Sequence, residues 1–333
     1  MKNLLASTAL AACVLGFSGA ASAQESCGTL TISVMTWASA EVLAAIDEFI
    51  LKNGFDCDAQ SIPGDTMPTF SSMTEKGEPD IAGEMWVNQF RDQIDAAVKE
   101  GRIEYGAKVL ADDAVEGWWI PKYFADAHPE IKTIQDAIAR PDLFPGTEDT
   151  SKGAVHGCFA GWGCQITTQQ FFKAYEADKK GFVLIDTGSQ AGLDGTVAKA
   201  YESQKPWLGY YWAPTALLGK YEMKQLEFNT SYDDAEWKRC TSVADCPDPK
   251  INAWTKSEVY TMITPNVAKQ SAGAAEYLKT RAWGNDTVNK LLAWKEENQA
   301  NGEDTALHFL ETQPEIWTQW VSPEIAEKIK SEL

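Results

Sequence analysis

Residues 30–101 alternate strand-like and helix-like runs, and that alternation leaves few folds open. Leu30-Thr31-Ile32-Ser33-Val34-Met35 is rich in β-formers. From 41 to 52 the apolar residues Val42, Leu43, Ala45, Ile46, Phe49 and Ile50 follow helical spacing, and Asn53-Gly54 stops the run. A short extended stretch follows at 58–62, then a helix over 67–76 behind Pro63-Gly64-Asp65. Residues 80–86 read as a third strand and 88–100 as a third helix, ended by Gly101. Such an order predicts a parallel sheet with helical crossovers. Open parallel sheets bind ligands beyond the carboxyl ends of their strands. Trp37 and Trp86 both fall at that edge.

The pattern resumes further on, with strands predicted at 117–121, 207–212 and 259–263 and helices at 131–140, 167–179 and 192–204. From Val267 onward the sequence is helical. A chain of 333 residues stretches a single core, so two lobes are expected. The expected division is 24–119 plus 264–333 for lobe 1 and 120–263 for lobe 2, with hinge crossovers near 119–121 and 263–266.

The first residues read as an export signal: Lys2, an uncharged apolar run from Leu4 to Phe17, and Ala21-Ser22-Ala23 as the small-x-small cleavage site. Cleavage is expected after Ala23, which places the chain in the periplasm. Leu10-Ala11-Ala12-Cys13 offers a competing lipoprotein reading. Removal of 1–23 takes Cys13 with it and leaves six of the seven cysteines. An even count in an exported chain implies disulfides. Six cysteines allow 15 pairings; spacing suggests Cys158–Cys164, Cys240–Cys246 and Cys27–Cys57. The first two close short loops, and Cys27 and Cys57 each precede a strand-like run.

A net charge of -19 excludes the basic face that nucleic acid or anionic lipid needs. Tryptophan is in excess: 13, as many as phenylalanine and more than the 10 tyrosines. An acidic, indole-rich chain suits a greasy cation. A quaternary ammonium donates no hydrogen bond, so aromatic faces bind it, each contributing roughly 0.5–2 kcal/mol. Three or four faces reach the ~8 kcal/mol of micromolar affinity.

Residues 157–165 read Gly-Cys-Phe-Ala-Gly-Trp-Gly-Cys-Gln. Glycines ahead of a helix hold backbone N–H groups at its positive end, an anion cradle, with Trp162 offering a ring face beside it. Gly209-Tyr-Tyr-Trp-Ala-Pro214 sets Trp212 at another strand end. Each tryptophan taken singly also reads as core. Together, Gly-x-x-x-Gly-Trp-Gly-Cys, Tyr-Trp-x-Pro and a Trp closing the third strand resemble the periplasmic glycine betaine/proline betaine binding proteins of ABC importers, over essentially the whole mature chain. The resemblance implies an α/β two-lobed clamshell (a type II periplasmic binding protein) with a mostly parallel sheet in each lobe. It implies an aromatic box of Trp86, Trp162 and Trp212, backbone N–H groups of Gly163 and Cys164 on the ligand's anionic end, and the Cys158–Cys164 bridge. The chain departs from the family at Val87-Asn88, where Thr-Pro is usual, and at Gln165, where an acidic residue is common.

Trp37 joins the box by its strand-end position. Trp118 and Trp119 are adjacent on a strand and point to opposite sides; Trp119 is taken as the cleft residue. Glu84, Glu116 and Asp65 are candidates to face the cation. Glu116 is preferred, either as counter-charge or sharing a proton with an N-oxide oxygen, as in the similar marine trimethylamine N-oxide binding proteins. Asp65 also reads as a helix N-cap. Trp283, Trp294, Trp317 and Trp320 read as helix-packing residues. Asp233, Asp234, Asp245 and Asp248 surround the Cys240–Cys246 loop and are weak candidates for a metal, without an established calcium-loop spacing.

Two carboxylates in a cleft also fit glycoside hydrolysis, and aromatic platforms bind sugars. The chain lacks a nucleophile elbow, a metal triad and a nucleotide loop, and the aromatic motifs are poor in the polar side chains a sugar needs. The expectation is a non-enzymatic, cofactor-free monomer that binds glycine betaine or trimethylamine N-oxide, or else dimethylsulfoniopropionate, choline or carnitine, and docks on an inner-membrane permease and ATPase complex.

Overall fold

The computed structural model describes residues 27–333. The expected signal segment, its cleavage site and Cys13 lie outside the described residues. The chain runs β1 (Thr29–Val34), α1 (Ala38–Phe55), β2 (Asp58–Pro63), α2 (Thr66–Lys76), β3 (Ile81–Trp86), α3 (Arg91–Lys99) and β4 (Glu104–Lys108). It continues with β5 (Val115–Pro121), α4 (Lys122–Ala127), α5 (Ile134–Ile138), β6 (Gly153–Gly157), α6 (Cys164–Ala174), β7 (Phe182–Asp186), α7 (Gln190–Ser203), β8 (Gly209–Ala213), α8 (Ala216–Lys220) and β9 (Met223–Gln225). After a polar segment comes β10 (Val259–Ile263), and the remainder is helical.

Two five-stranded sheets result, ordered β2-β1-β3-β10-β4 and β7-β6-β8-β5-β9. Both follow one plan. Three parallel strands form one side, and two strands paired antiparallel complete the other. Each sheet is mixed, with four of its five strands running one way and a single strand, β10 or β5, running against them, in keeping with the expected mostly parallel sheets. The βαβ units supply the parallel triplets; the antiparallel strands are those next to the crossings between lobes, where the chain changes direction.

The crossings lie elsewhere than expected. Residues 119–121 pair with β9 inside the second sheet, and 259–263 pair with β3 and β4 inside the first. The two crossing strands meet between the sheets at Ala114 and Ser257, whose backbones exchange N–H···O bonds of 2.8 and 2.9 Å. An apolar run states that a strand exists but not which sheet receives it, and that misplaced the boundaries.

Local chemistry accounts for the elements that carry the site. Asp65 caps α2 by accepting from the Thr66 amide, and Ser189 and Thr215 cap α7 and α8. Cys27–Cys57 ties the starts of β1 and β2, which pair in parallel from Thr29 and Asp58. Cys158–Cys164 closes the loop ahead of α6, and Cys240–Cys246 staples the polar segment. Helices near the C-terminus cover the first sheet: Trp317 is fully buried and donates to the Leu310 carbonyl, and Trp320 donates to that of Ala282. Trp283 packs edge-on to Phe309, and Trp294 stacks flat on His308.

Candidate functional site

The two lobes meet over a small cavity at the carboxyl ends of the parallel strands. The first lobe contributes Trp37, Thr66, Trp86 and Gln89; the second contributes Glu116, Trp162, Gly163, Cys164, Tyr210 and Trp212. Trp37 ends the turn after β1, Trp86 is the last residue of β3, and Trp212 lies near the end of β8. Trp162 stands between its neighbours, with ring centres 5.2 Å from Trp37 and 5.1 Å from Trp212, both nearly perpendicular. Tyr210 lies 6.0 Å from Trp212 in near-parallel stacking. The space left between the rings is narrow, about 20 Å³ open to a water-sized sphere. A wider cleft of about 870 Å³ opens on the other side of Trp37 and Trp212.

Hydrogen bonds hold the lobes together around this cavity. Trp162 Nε1 donates to Thr36 Oγ1 at 2.9 Å, the Met67 amide to the Gly161 carbonyl at 3.1 Å, and the Ala38 amide to Gln190 at 3.0 Å. Gly161 has φ +97°, and a Cβ there would lie 3.0 Å from the Asp65 carboxylate, so glycine alone fits the turn that presents Trp162. Gly163 and Cys164 line the cavity at the start of α6, and neither amide has an acceptor among the described backbone bonds. That is the arrangement an anion cradle needs.

Three acidic candidates take three different places. Glu116, 2% exposed, reaches the cavity. It accepts from Gln89 Nε2 at 2.9 and 3.0 Å, from Tyr210 Oη at 2.9 Å and from Ser257 Oγ. Burial pushes its pKa up, while those donors pull the other way. Its partners come from both lobes and from the second crossing strand. Glu84 lies behind the rings instead. Its Oε1 accepts from Trp37 Nε1 at 2.6 Å, Ser39 Oγ at 2.9 Å and Trp86 Nε1 at 3.1 Å, and burial pushes its pKa up. Asp65 acts as the α2 cap and accepts from Thr36 Oγ1, away from the cavity.

Trp119 does not line the cavity. Its Nε1 donates to the Tyr211 carbonyl at 3.0 Å, on the face of β5 opposite Glu116, and Trp118 is fully buried in the second lobe. His156 stacks on Trp207 in the sheet and bonds the Leu208 carbonyl. The aspartates of the polar segment do not converge. Asp233 caps a short helix, Asp234 pairs with Lys238, and Asp248 pairs with Arg239. Among the described residues the sole metal-like grouping is Cys240, Cys246 and Asp248, and its two sulfurs are joined to each other.

Tyr210, Gln89 and Ser257 are site residues that sequence reasoning missed. Tyr210 was within reach: it stands two residues before Trp212 on one strand and so shares its face. Gln89 and Ser257 carry no local signal.

Two mixed α/β lobes closing on an aromatic cavity define a clamshell solute-binding protein. Residues 28–312 match the family model described as the substrate binding domain of the ABC-type glycine betaine transport system. The chain belongs to that family, one of transporter binding domains and not of enzymes. A glycine betaine/carnitine transport binding protein of Listeria monocytogenes is 21% identical over 166 residues, 50% of this chain and 48% of the relative. The matched stretch thus spans about half the length of that curated relative. A glycine betaine/L-proline-binding protein structure from Borrelia burgdorferi superimposes with TM-score 0.69 at 17% identity, covering 90% of this chain and 99% of that one. A choline binding protein in complex with choline gives 0.70 at 17% identity, covering 92% and 98%. Both share the fold.

Proposed function

We propose that this chain is the ligand-capturing component of an ABC importer, working as a periplasmic monomer, and that it holds a small methylated onium osmolyte between its lobes. Glycine betaine and trimethylamine N-oxide are the favoured ligands; dimethylsulfoniopropionate, choline and carnitine share the methylated cation. The observation that carries this reading is the convergence of Trp37, Trp86, Trp162, Trp212 and Tyr210 on a cavity that also holds the buried Glu116. Aromatic faces attract a cation that cannot donate hydrogen bonds. A carboxylate taking donors from Gln89, Tyr210 and Ser257 supplies counter-charge without needing a proton from the ligand. The Gly163 and Cys164 amides suit the ligand's anionic end. Admitting a trimethylammonium head into so narrow a space requires the lobes to part, and the Ala114–Ser257 crossing is the place for that motion. The closed form would then dock on a membrane permease.

The test is a thermal-shift screen with calorimetric titration of the hits, covering these five onium compounds and several neutral sugars. A ligand at 100 times its Kd stabilises the native state by about 2.7 kcal/mol, a readily seen rise in melting temperature. Onium compounds alone should produce it, and Glu116→Gln should weaken every one of them. A response to sugars alone would overturn the onium reading; unchanged affinities in Glu116→Gln would remove Glu116 from the site.

A further inference from the structure

Glu84 is 1% exposed, does not line the cavity, and yet is the hydrogen-bond acceptor for two of its rings. We propose that Glu84 is a specificity-determining positioning residue, whose buried charge, delivered through the indole N–H groups of Trp37 and Trp86, makes the box select a cationic head over a neutral head of the same shape. This rests on the onium reading of the box and deepens it.

Placement comes first. Trp37 Nε1, Trp86 Nε1 and Ser39 Oγ all donate to one oxygen, Oε1, so a single carboxylate fixes rings that arrive from different elements. The second oxygen, Oε2, finds no hydrogen-bond partner among the described residues. The cation in the neighbourhood is already committed. Arg281, also 1% exposed, grips Asp47 through two bonds of 2.6 Å, and Tyr277 adds a third at 2.7 Å. Arg281 therefore acts on Glu84 only through space, as the smallest of the influences that oppose its burial, and Glu84 has no cation bonded to it. A buried carboxylate in that position is costly. A glutamine would accept the same indole bonds without the cost, so ring placement alone does not account for an acid here.

The physics of the box does account for it. Cation–π attraction is electrostatic, and a low-dielectric wall leaves it unscreened. An indole whose N–H donates to a carboxylate is polarised toward a more negative ring face. The anion behind the ring also attracts the cation directly across it. Two rings share this arrangement. Burial pushes the pKa of Glu84 up, and a cation on the rings pulls it back, so ligand binding and ionisation favour each other.

The test compares glycine betaine with 3,3-dimethylbutanoate, which replaces the trimethylammonium by an uncharged tert-butyl group of the same shape. Both dissociation constants are measured by calorimetry on wild type, Glu84→Gln and Glu84→Asp. Wild type should prefer the cation, Glu84→Gln should lose about tenfold of that preference (about 1.4 kcal/mol), and Glu84→Asp should keep it within about threefold. A loss of affinity that is equal for both ligands would mean that Glu84 only positions the rings, and would overturn the proposal. Should Glu84→Gln fail to fold, Glu84→Asn against Glu84→Asp poses the same comparison. If glycine betaine does not bind, the tightest onium ligand of the screen and its uncharged tert-butyl counterpart take the place of this pair; wild type binding the charged and uncharged members equally would defeat the onium reading itself, a result separate from an unchanged preference in the variants.

Discussion

Trp162 joins the box to the closure of the lobes, and a double-mutant cycle separates those two roles. Its N–H spans the lobes to Thr36 at 2.9 Å, and its ring, 5% exposed, stands edge-on to both Trp37 and Trp212. Trp162→Phe keeps a ring and deletes the donor; a net hydrogen bond of this kind is worth about 1 kcal/mol, so ligand affinity should fall about fivefold. Thr36→Val deletes the same bond from the other side. It also removes the 3.2 Å bond from Thr36 to Asp65, which stays within the first lobe and bears little on closure. Because both changes erase one contact, the double variant should be no weaker than either single, a coupling of about 1 kcal/mol. Trp162→Ala adds the loss of a ring face and of two edge contacts, each roughly 0.5–1.5 kcal/mol. The total approaches about 3 kcal/mol, or more than a hundredfold. The assay is calorimetric titration with the best ligand of the screen, with melting temperature as the control for folding. Strictly additive losses in the double variant would show that the Trp162–Thr36 bond does not act in the bound state. Equal losses for Phe and Ala would show that no ring face at 162 meets the ligand.

Two further predictions concern stability. Asp47→Asn strips the buried Arg281 guanidinium of the carboxylate it is paired with and should cost about 3–5 kcal/mol in urea unfolding followed by tryptophan fluorescence; a loss under about 1 kcal/mol would mean the pair does not carry charge in the core. Asp194, which accepts from Tyr211 Oη at 2.5 Å, has its pKa pushed up by burial to about 6 from 3.8. Between those values the native state keeps a proton that the unfolded chain has lost, so stability is fullest at the acid end and falls as pH rises through about 6. The shift corresponds to at most about 3 kcal/mol, and partial solvation trims it to about 2 kcal/mol. Asp194→Asn should therefore gain about 2 kcal/mol at pH 7.5 and nothing near pH 3.5; unfolding curves across that range would contradict the assignment if wild type and variant run parallel.

The first half of lobe 1 was legible because several local signals agree there. β1, α1, β2, α2 and β3 fall within a few residues of their expected bounds, since each helix carries its period and a stop, and Asp65 is both turn residue and cap. The tight turn at Gly163 and Cys164 ahead of α6 was legible for the same reason: three glycines and two cysteines within a few residues leave little conformational freedom. The strands that pair antiparallel were harder. β4 and β9 are short and polar, and β10 gives no hint of its sheet; its place beside β3 is fixed by tertiary packing and by the Ala114–Ser257 crossing. Boundaries that depend on which sheet accepts a strand are set by non-local contacts, and hydrophobic pattern carries none of that information.

The misplacement of Trp119 is of another kind, because the sequence contained the means to avoid it. Side chains alternate along a strand with a period of two. Glu116 and Trp119 are three apart, so on one continuous strand they point to opposite faces and cannot both meet one ligand. Choosing Glu116 for the cleft therefore excludes Trp119, and with it any need to decide between Trp118 and Trp119. The structure bears this out: Glu116 reaches the cavity, Trp118 shares its face but lies deeper in the core, and Trp119 turns to Tyr211 on the far side. The same parity applied to β8 selects Tyr210 along with Trp212, and applied to β3 it puts Glu84 and Trp86 on one face. The hydrogen bond between those two is then the expected consequence of the strand, and the acid at position 84 follows the ring it holds.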